Sequence, residues 1–217
     1  MTTICLMKTD KAIYLASDSQ VTSGNIKLPD NYEKVEIFGE TLIASCGSVG
    51  LCQKLSTRAY TNLKQNFAEA ENFDKEPDVK DFAKALSDLN FYLPLEFKTF
   101  QSAGFLMGGL SNDELTGFMV GDDGSKIPID TFATEGSGSQ VALGVLTESY
   151  DKKIDVDAGA ELIAGVINSA QKSDVYTSKI ISVHAITKDG EYKLWRFNPE
   201  QVQTKPEEKQ EDGQKNT

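Results

Sequence analysis

Histidine is almost absent from this 217-residue chain, cysteine is sparse, and no long apolar stretch or run of basic residues occurs. Each shortage closes off a class of function. The lone histidine, His184, lies in an apolar segment with no second histidine and no cysteine or acid at ligand spacing, so no metal site is expected and His184 reads as structural. The three cysteines, Cys5, Cys46 and Cys52, are an odd number and are not spaced as ligands. They read as buried thiols in a reducing compartment. No segment approaches the roughly 18 consecutive apolar residues of a membrane span, and the N-terminus lacks a basic-then-apolar signal sequence. A cytoplasmic protein without membrane contact is expected. The formal charge of −11 and the lack of clustered Lys and Arg argue against nucleic acid. Gly108-Gly109 and Gly136-Ser137-Gly138 lack the strand and helix context of a nucleotide loop, and no cofactor is expected.

What is present suffices for one substantial core: 39% of the residues are hydrophobic, and a single domain is expected over residues 1–200. The remainder, 201–217, is polar. From Gln203 onward it has no large apolar side chain, and Lys205, Lys209 and Lys215 nearly cancel Glu207, Glu208, Glu211 and Asp212. It reads as a disordered, solubilising tail.

Short apolar runs at Ile4–Met7 and Ala12–Ala16, split by the turn Thr9-Asp10-Lys11, predict a hairpin at the start of the chain. Short strands follow at Val35–Phe38 and Thr41–Ser45. Leu51, Leu55, Ala59, Leu63 and Phe67 recur every four residues, and Pro77-Asp78 opens a second helix with Val79, Phe82, Ala83, Leu86 and Leu89 on one face. Strands return at Gly104–Met107, Leu115–Val120 and Thr131–Ala133, with a turn at Asp122-Asp123-Gly124. A second helix pair begins after Gly138-Ser139 and near Asp155, and two closing strands, Ile180–Ile186 and Tyr192–Phe197, flank Lys188-Asp189-Gly190. Helices in pairs, rather than alternating with strands, predict an α+β fold: an αββα sandwich of antiparallel sheets with helices outside. Strand pairing stays open.

Thr2 is the position that could carry chemistry. As a new N-terminus after loss of Met1, it would hold a hydroxyl and a free α-amine, whose pKa of roughly 7.7 to 8.0 suits it to accept the hydroxyl proton. A small second residue also suits removal of the initiator methionine, so no self-cleaved leader is expected.

The residues Thr2-Thr3, Ala16-Ser17-Asp18-Ser19, Thr22, Gly24, Lys34 and the small-residue turn near Gly47 resemble the β subunits of the proteasome and, more distantly, bacterial ring proteases, all N-terminal nucleophile hydrolases. The likeness continues in order through Gly136-Ser137-Gly138-Ser139, Ser173-Asp174-Val175-Tyr176-Thr177 and the hairpin Val183–Gly190. It covers about residues 2 to 198.

The resemblance implies a threonine endopeptidase that hydrolyses peptide bonds. Thr2 Oγ is the expected nucleophile, and Lys34, held by Asp18, lowers the pKa of the hydroxyl and amine by like-charge proximity. A backbone N–H within Cys46–Ser48, with Gly47 at its centre, is the expected oxyanion donor, a contact worth roughly 2.7 to 4 kcal/mol of barrier. Ser137, Asp174 and Thr177 are expected around the α-amine. An extended peptide would add as a strand between segments near Thr22 and Gly47, with Val21, Tyr32 and either Ser45 or Cys46 lining the side-chain pocket. The expected partners are unfolded polypeptide, copies of the chain in a ring of six or seven, and in addition α-type subunits and an ATPase unfoldase.

Departures from the pattern leave other readings open. Thr177 stands for the family's serine, Ser178 for its glycine, and Gln20 where arginine is frequent; the spacing from Lys34 to Gly47 is ambiguous by one residue. An inactive structural ring subunit is one alternative, and an amidohydrolase or transpeptidase on the same fold is another.

Overall fold

The computed structural model describes residues 2–23, 26–28, 31–70, 76–93, 101–177 and 180–201. Met1, Gly24, Ser178 and the tail from 202 lie outside these residues.

Strand β1 (Thr3–Lys8) turns back at once into β2 (Ala12–Asp18), as the two apolar runs predict. Thr9 makes the turn, its hydroxyl accepting from the Lys11 and Ala12 amides and donating to the Ala12 carbonyl. A two-residue pairing of β3 (Thr22–Ser23) with β4 (Ile26–Lys27) follows, too short to leave an alternating pattern in sequence. Next come β5 (Val35–Phe38), β6 (Thr41–Gly47), helix α1 (Val49–Glu69) and helix α2 (Val79–Phe91). Asp78 caps α2 with a reciprocal box: its carboxylate accepts from the Lys80 and Asp81 amides, and the Asp81 side chain accepts from the Asp78 amide.

The second half contains β7 (Ala103–Ser111), β8 (Glu114–Val120), β9 (Lys126–Ile129), β10 (Phe132–Gly136), α3 (Ser139–Ser149), α4 (Val156–Gln171), β11 (Ile181–Thr187) and β12 (Tyr192–Phe197). Two differences from the sequence expectation matter. β9 is absent from the sequence expectation; it contains Pro128, which cannot donate to a ladder and is tolerated because β9 is the outer strand of its sheet. β10 begins one residue later than expected and runs on to Gly136, which brings Ser137 level with the start of β1.

Among the described residues the strands form two antiparallel five-stranded sheets, ordered β10-β1-β2-β11-β12 and β5-β6-β7-β8-β9, besides the β3–β4 pair. Three buried clusters define four layers. Tyr14, Ala16 and Val183 pack against Ile163 and Ile167 of α4; Ile4, Leu6, Ile13 and Leu15 meet Leu42, Ala44 and Leu106 between the sheets; Ile43, Phe105 and Met107 pack against Leu55, Phe82 and Leu86 of α1 and α2. Alternate residues of β1 and β2 thus enter different clusters, as a strand covered on both faces requires. The αββα order read from sequence is the observed one. At one end of the sandwich, the start of β1, the end of β2, the entry to β5, the end of β6 and the end of β10 converge.

Candidate active site

Thr2 stands one residue before β1, and the ladder fixes it from both sides. The β1–β10 register pairs Thr3 with Gly136, so the Ser137 amide reaches the Thr2 carbonyl at 2.8 Å. The β1–β2 register pairs Ile4 with Ser17, which places Asp18 beside Thr2 and Thr3. Gly136 has φ +96°, and a Cβ there would come within 1.9 Å of the Thr2 carbonyl oxygen, so the residue before Ser137 must be glycine.

Asp18 is fully buried and accepts at least four hydrogen bonds. Its Oδ1 receives Thr2 Oγ at 2.8 Å, the Thr3 amide at 3.1 Å and Lys34 Nζ at 2.7 Å, while Oδ2 receives the Gln20 amide at 3.0 Å. Lys34, 6% exposed, also donates to Thr2 Oγ. Burial holds the Lys34 ammonium below the usual lysine value, and the Asp18 charge and hydrogen bond oppose that shift. A hydroxyl, an ammonium and a carboxylate thus meet in mutual contact with almost no solvent.

On the other side of Thr2 lies a more open network. Ser137 Oγ bonds the Thr2 carbonyl at 3.3 Å and Asp174 Oδ2 at 2.5 Å; Thr177 Oγ donates to Asp174 Oδ2 at 2.6 Å, and the Tyr176 amide to Oδ1 at 3.1 Å. Burial pushes the Asp174 carboxyl up, but the Ser137, Thr177 and Tyr176 donors outweigh it and leave the group below the ordinary aspartate value. Neither Ser137 nor Asp174 caps a helix. Gly138 is the N-cap of α3, and Asp174 follows α4. Thr177 keeps the hydroxyl contact despite replacing serine.

Thr3 was missed as a site residue, although it belongs to the opening motif. Its Oγ lies 2.6 Å from Thr177 Oγ and accepts the Gly138 amide at 3.1 Å, while its own amide bonds Asp18. It joins the two halves. In sequence it reads only as another strand threonine, because the partners of its hydroxyl lie more than 130 residues away.

Two cavities open on Thr2. One, of about 360 Å³, is lined by Lys34 and by Val21, Thr22, Tyr32, Ser45 and Cys46, every one of the expected substrate-binding residues. Cys52 completes its wall, and Gln53 Nε2 donates to the Tyr32 hydroxyl at 2.8 Å. The other, of about 510 Å³, lies toward Ser137 and shares Cys46, Gly47 and Ser48 with the first. Its wall includes Glu135, whose carboxyl burial pushes up to about 7, with a hydrogen bond from the Cys46 thiol opposing and the Asp122 charge adding to the shift.

Gly47 sits between the cavities with φ +116°, and a Cβ there would stand 2.2 Å from the Ser102 carbonyl oxygen. The Ser48 amide is bonded to that same oxygen at 2.8 Å. The Ser45 amide is bonded to the Lys34 carbonyl at 3.3 Å, and amides two apart in a strand point the same way, so the Gly47 amide faces the Lys34 side beyond the start of β5. Among the described residues no group of three or more His, Cys, Asp or Glu side chains is placed to hold a metal ion.

Comparison with known proteins agrees with this geometry. The family model described as proteasome subunit matches residues 1–186. Proteasome subunit beta 2 of Pyrococcus furiosus is 32% identical over 192 residues, 86% of each chain, and proteasome subunit beta of Nanoarchaeum equitans is 31% identical over 202 residues, 90% of this chain and 97% of its own. Proteasome subunit beta of Archaeoglobus fulgidus is 28% identical over 204 residues. A match over nearly the whole sandwich, from Thr2 at one end of β1 to the β11 strand, means that the chain belongs to the proteasome subunit family.

Proposed function

We propose that the chain is an active threonine endopeptidase, the proteolytic subunit of a ring chamber, with Thr2 as nucleophile once it is the N-terminus. One observation carries this reading: Thr2 Oγ, Lys34 Nζ and Asp18 Oδ1 are in mutual hydrogen-bond contact at the junction of two cavities. An inactive structural subunit has no use for a buried ammonium aimed at a hydroxyl.

In the proposed reaction the Thr2 α-amine takes the Oγ proton as Oγ attacks the scissile carbonyl, and Lys34 stabilises the developing alkoxide. Asp18 holds Lys34 in place. The oxyanion is received by the Gly47 amide, which the occupied Ser48 amide and the strand alternation favour over its neighbours. Collapse breaks the C–N bond, the amine leaves with the proton, and an ester on Thr2 remains. Water, deprotonated by the same α-amine, hydrolyses the ester and restores Oγ–H.

Ser137, Asp174 and Thr177 orient the α-amine and favour its protonated form after attack. The substrate lies extended between Thr22 and Gly47, with the side chain of its acyl residue in the cavity of Val21, Tyr32, Ser45 and Cys46. The preceding family relation supports a ring of six or seven copies in the cytoplasm, fed unfolded chain by an ATPase and closed by α-type subunits.

Intact mass establishes whether Met1 has left. A threonine-directed epoxyketone, which closes its ring adduct on both the hydroxyl and the free amine, should then label wild type and fail on Thr2→Ala. No adduct on a chain that begins at Thr2 would refute the reading.

A further inference from the structure

The single histidine and the glutamate before the lysine take no part in the chemistry above, yet they are joined to it. We infer that Glu33 is a positioning residue for Lys34, clamped through buried His184, so that the closing β11–β12 hairpin sets where the lysine stands. The inference rests on the threonine-protease reading.

Residues 31–34 form a strap between the β3–β4 region and β5. The Tyr32 amide bonds the Ser19 carbonyl at 3.1 Å, Ser19 Oγ bonds Asn31 Oδ1 at 3.0 Å, and the Lys34 carbonyl receives the Ser45 amide. From this strap two neighbouring side chains leave for different elements. Lys34 goes to Asp18 and Thr2, and Glu33 goes to β11 and β12. Glu33 Oε2 accepts from Ser182 Oγ at 3.1 Å and lies 3.6 Å from Arg196 Nη2; Oε1 lies 3.1 Å from His184 Nε2.

A carboxylate only accepts, so Nε2 of His184 carries the proton shared with Glu33. In the neutral ring Nδ1 is then the acceptor for the Tyr192 hydroxyl at 3.0 Å. The His184 side chain is 3% exposed. Buried His184 therefore anchors the relay Tyr192–His184–Glu33 in the sheet, while Tyr192 and Glu33 at its ends are partly exposed. Burial pushes the Glu33 carboxyl up, but His184, Ser182 and Arg196 together outweigh it and keep Glu33 ionised and able to hold the clamp.

The register links clamp and catalytic pair. Asp18 pairs with Ile181 and Ser17 with Ser182, so Lys34's partner and Glu33's partner are held by adjacent rungs of β2 and β11. A lysine side chain has many rotamers, and confining its ammonium to one burial site is entropically costly. Fixing the preceding residue on those rungs confines the lysine backbone before its side chain is ordered.

The test uses the assembled protein with Met1 removed. Glu33→Ala and His184→Leu should each lower kcat on a fluorogenic peptide about tenfold to a hundredfold, the scale of a small misplacement at a reacting centre, with KM changed less than about twofold. The double variant should be no worse than either single one, and His184→Gln, which keeps a donor toward Glu33, should recover most of the loss. Retained kcat in both single variants, or a loss confined to KM, overturns the clamp. Crystal structures of wild type and Glu33→Gln supply a reading independent of activity. Lys34 Nζ should leave hydrogen-bond reach of Asp18 in the variant, and a pair still at 2.7 Å overturns the proposal whatever the turnover. Wild type that is inert with Thr2 free would instead fail the protease reading.

Discussion

The two flanks of Thr2 are built from opposite materials. On one side Asp18 and Lys34, 0% and 6% exposed, form an ion pair that water scarcely reaches. On the other, Asp174 is partly exposed and is satisfied by two hydroxyls and an amide, with Ser137 open to solvent. The contrast teaches where a substitution is felt globally and where only locally. A buried charge that loses its partner keeps its desolvation cost, whereas a half-exposed carboxylate can turn to water.

The largest effect should follow from breaking the buried flank. Lys34→Met takes the ammonium away from the buried Asp18 carboxylate, so turnover should vanish and urea unfolding should report a loss of about 3 to 5 kcal/mol. Adding Asp18→Asn should recover much of that stability without restoring turnover. Additive losses in the double variant would break the comparison, because the pair would then not be coupled.

An intermediate effect belongs to Glu135, on the Ser137 side but half-buried. Its folded pKa of about 7 lies above the ordinary glutamate value of 4.5, so the native state holds the proton more tightly in that interval. Stability from this group is full below pH 4.5 and is lost as pH rises through about 7, a change on the order of 3 kcal/mol. Glu135→Gln should therefore melt higher than wild type at pH 8, with the gap closing toward pH 4.5. A pH-independent gap would mean that the carboxyl does not titrate in that window.

The smallest stability effect should come from Asp174→Asn, within about 1 kcal/mol for so exposed a group. Its carboxyl is held below the ordinary value, so its contribution is present above the aspartate range and lost as pH falls through the lowered pKa. The variant should melt slightly below wild type near neutrality, with the gap closing as pH falls into the acid range. Its turnover should fall by less than that of Lys34→Met, since Asp174 orients the base without touching the hydroxyl. A loss equal to that of Lys34→Met would erase the functional distinction between the flanks.

Much of this was legible without coordinates. Short apolar runs bounded by turn residues marked β1, β2 and β11, the Pro77-Asp78 start marked α2, and Thr2, Asp18 and Lys34 stood at the spacing of a known pattern. The expected pocket residues Val21, Thr22, Tyr32, Ser45 and Cys46 do meet in one cavity. Less visible were β9, whose Pro128 argues locally against a strand, and β3–β4, too short for periodicity. Glu135, Glu33 and His184 gave no signal at all. A glutamate in a strand and one beside a lysine look like solvated charges, and a lone histidine like core.

Local chemistry decided the element types, because turn residues, caps and apolar periods act over a few positions. The sequence alone also pointed to residue 2 as the proposed nucleophile, since Thr2 would combine a hydroxyl with a terminal amine once Met1 is removed. Only the tertiary structure decided which charges are buried. The β1–β2, β1–β10 and β2–β11 registers bring residues 2, 18, 137 and 182 to one end of the sandwich. Packing of the second sheet against the first then excludes water from Lys34. Desolvation depends on the atoms surrounding a charge in space, and those atoms come from strands whose partners no local pattern names.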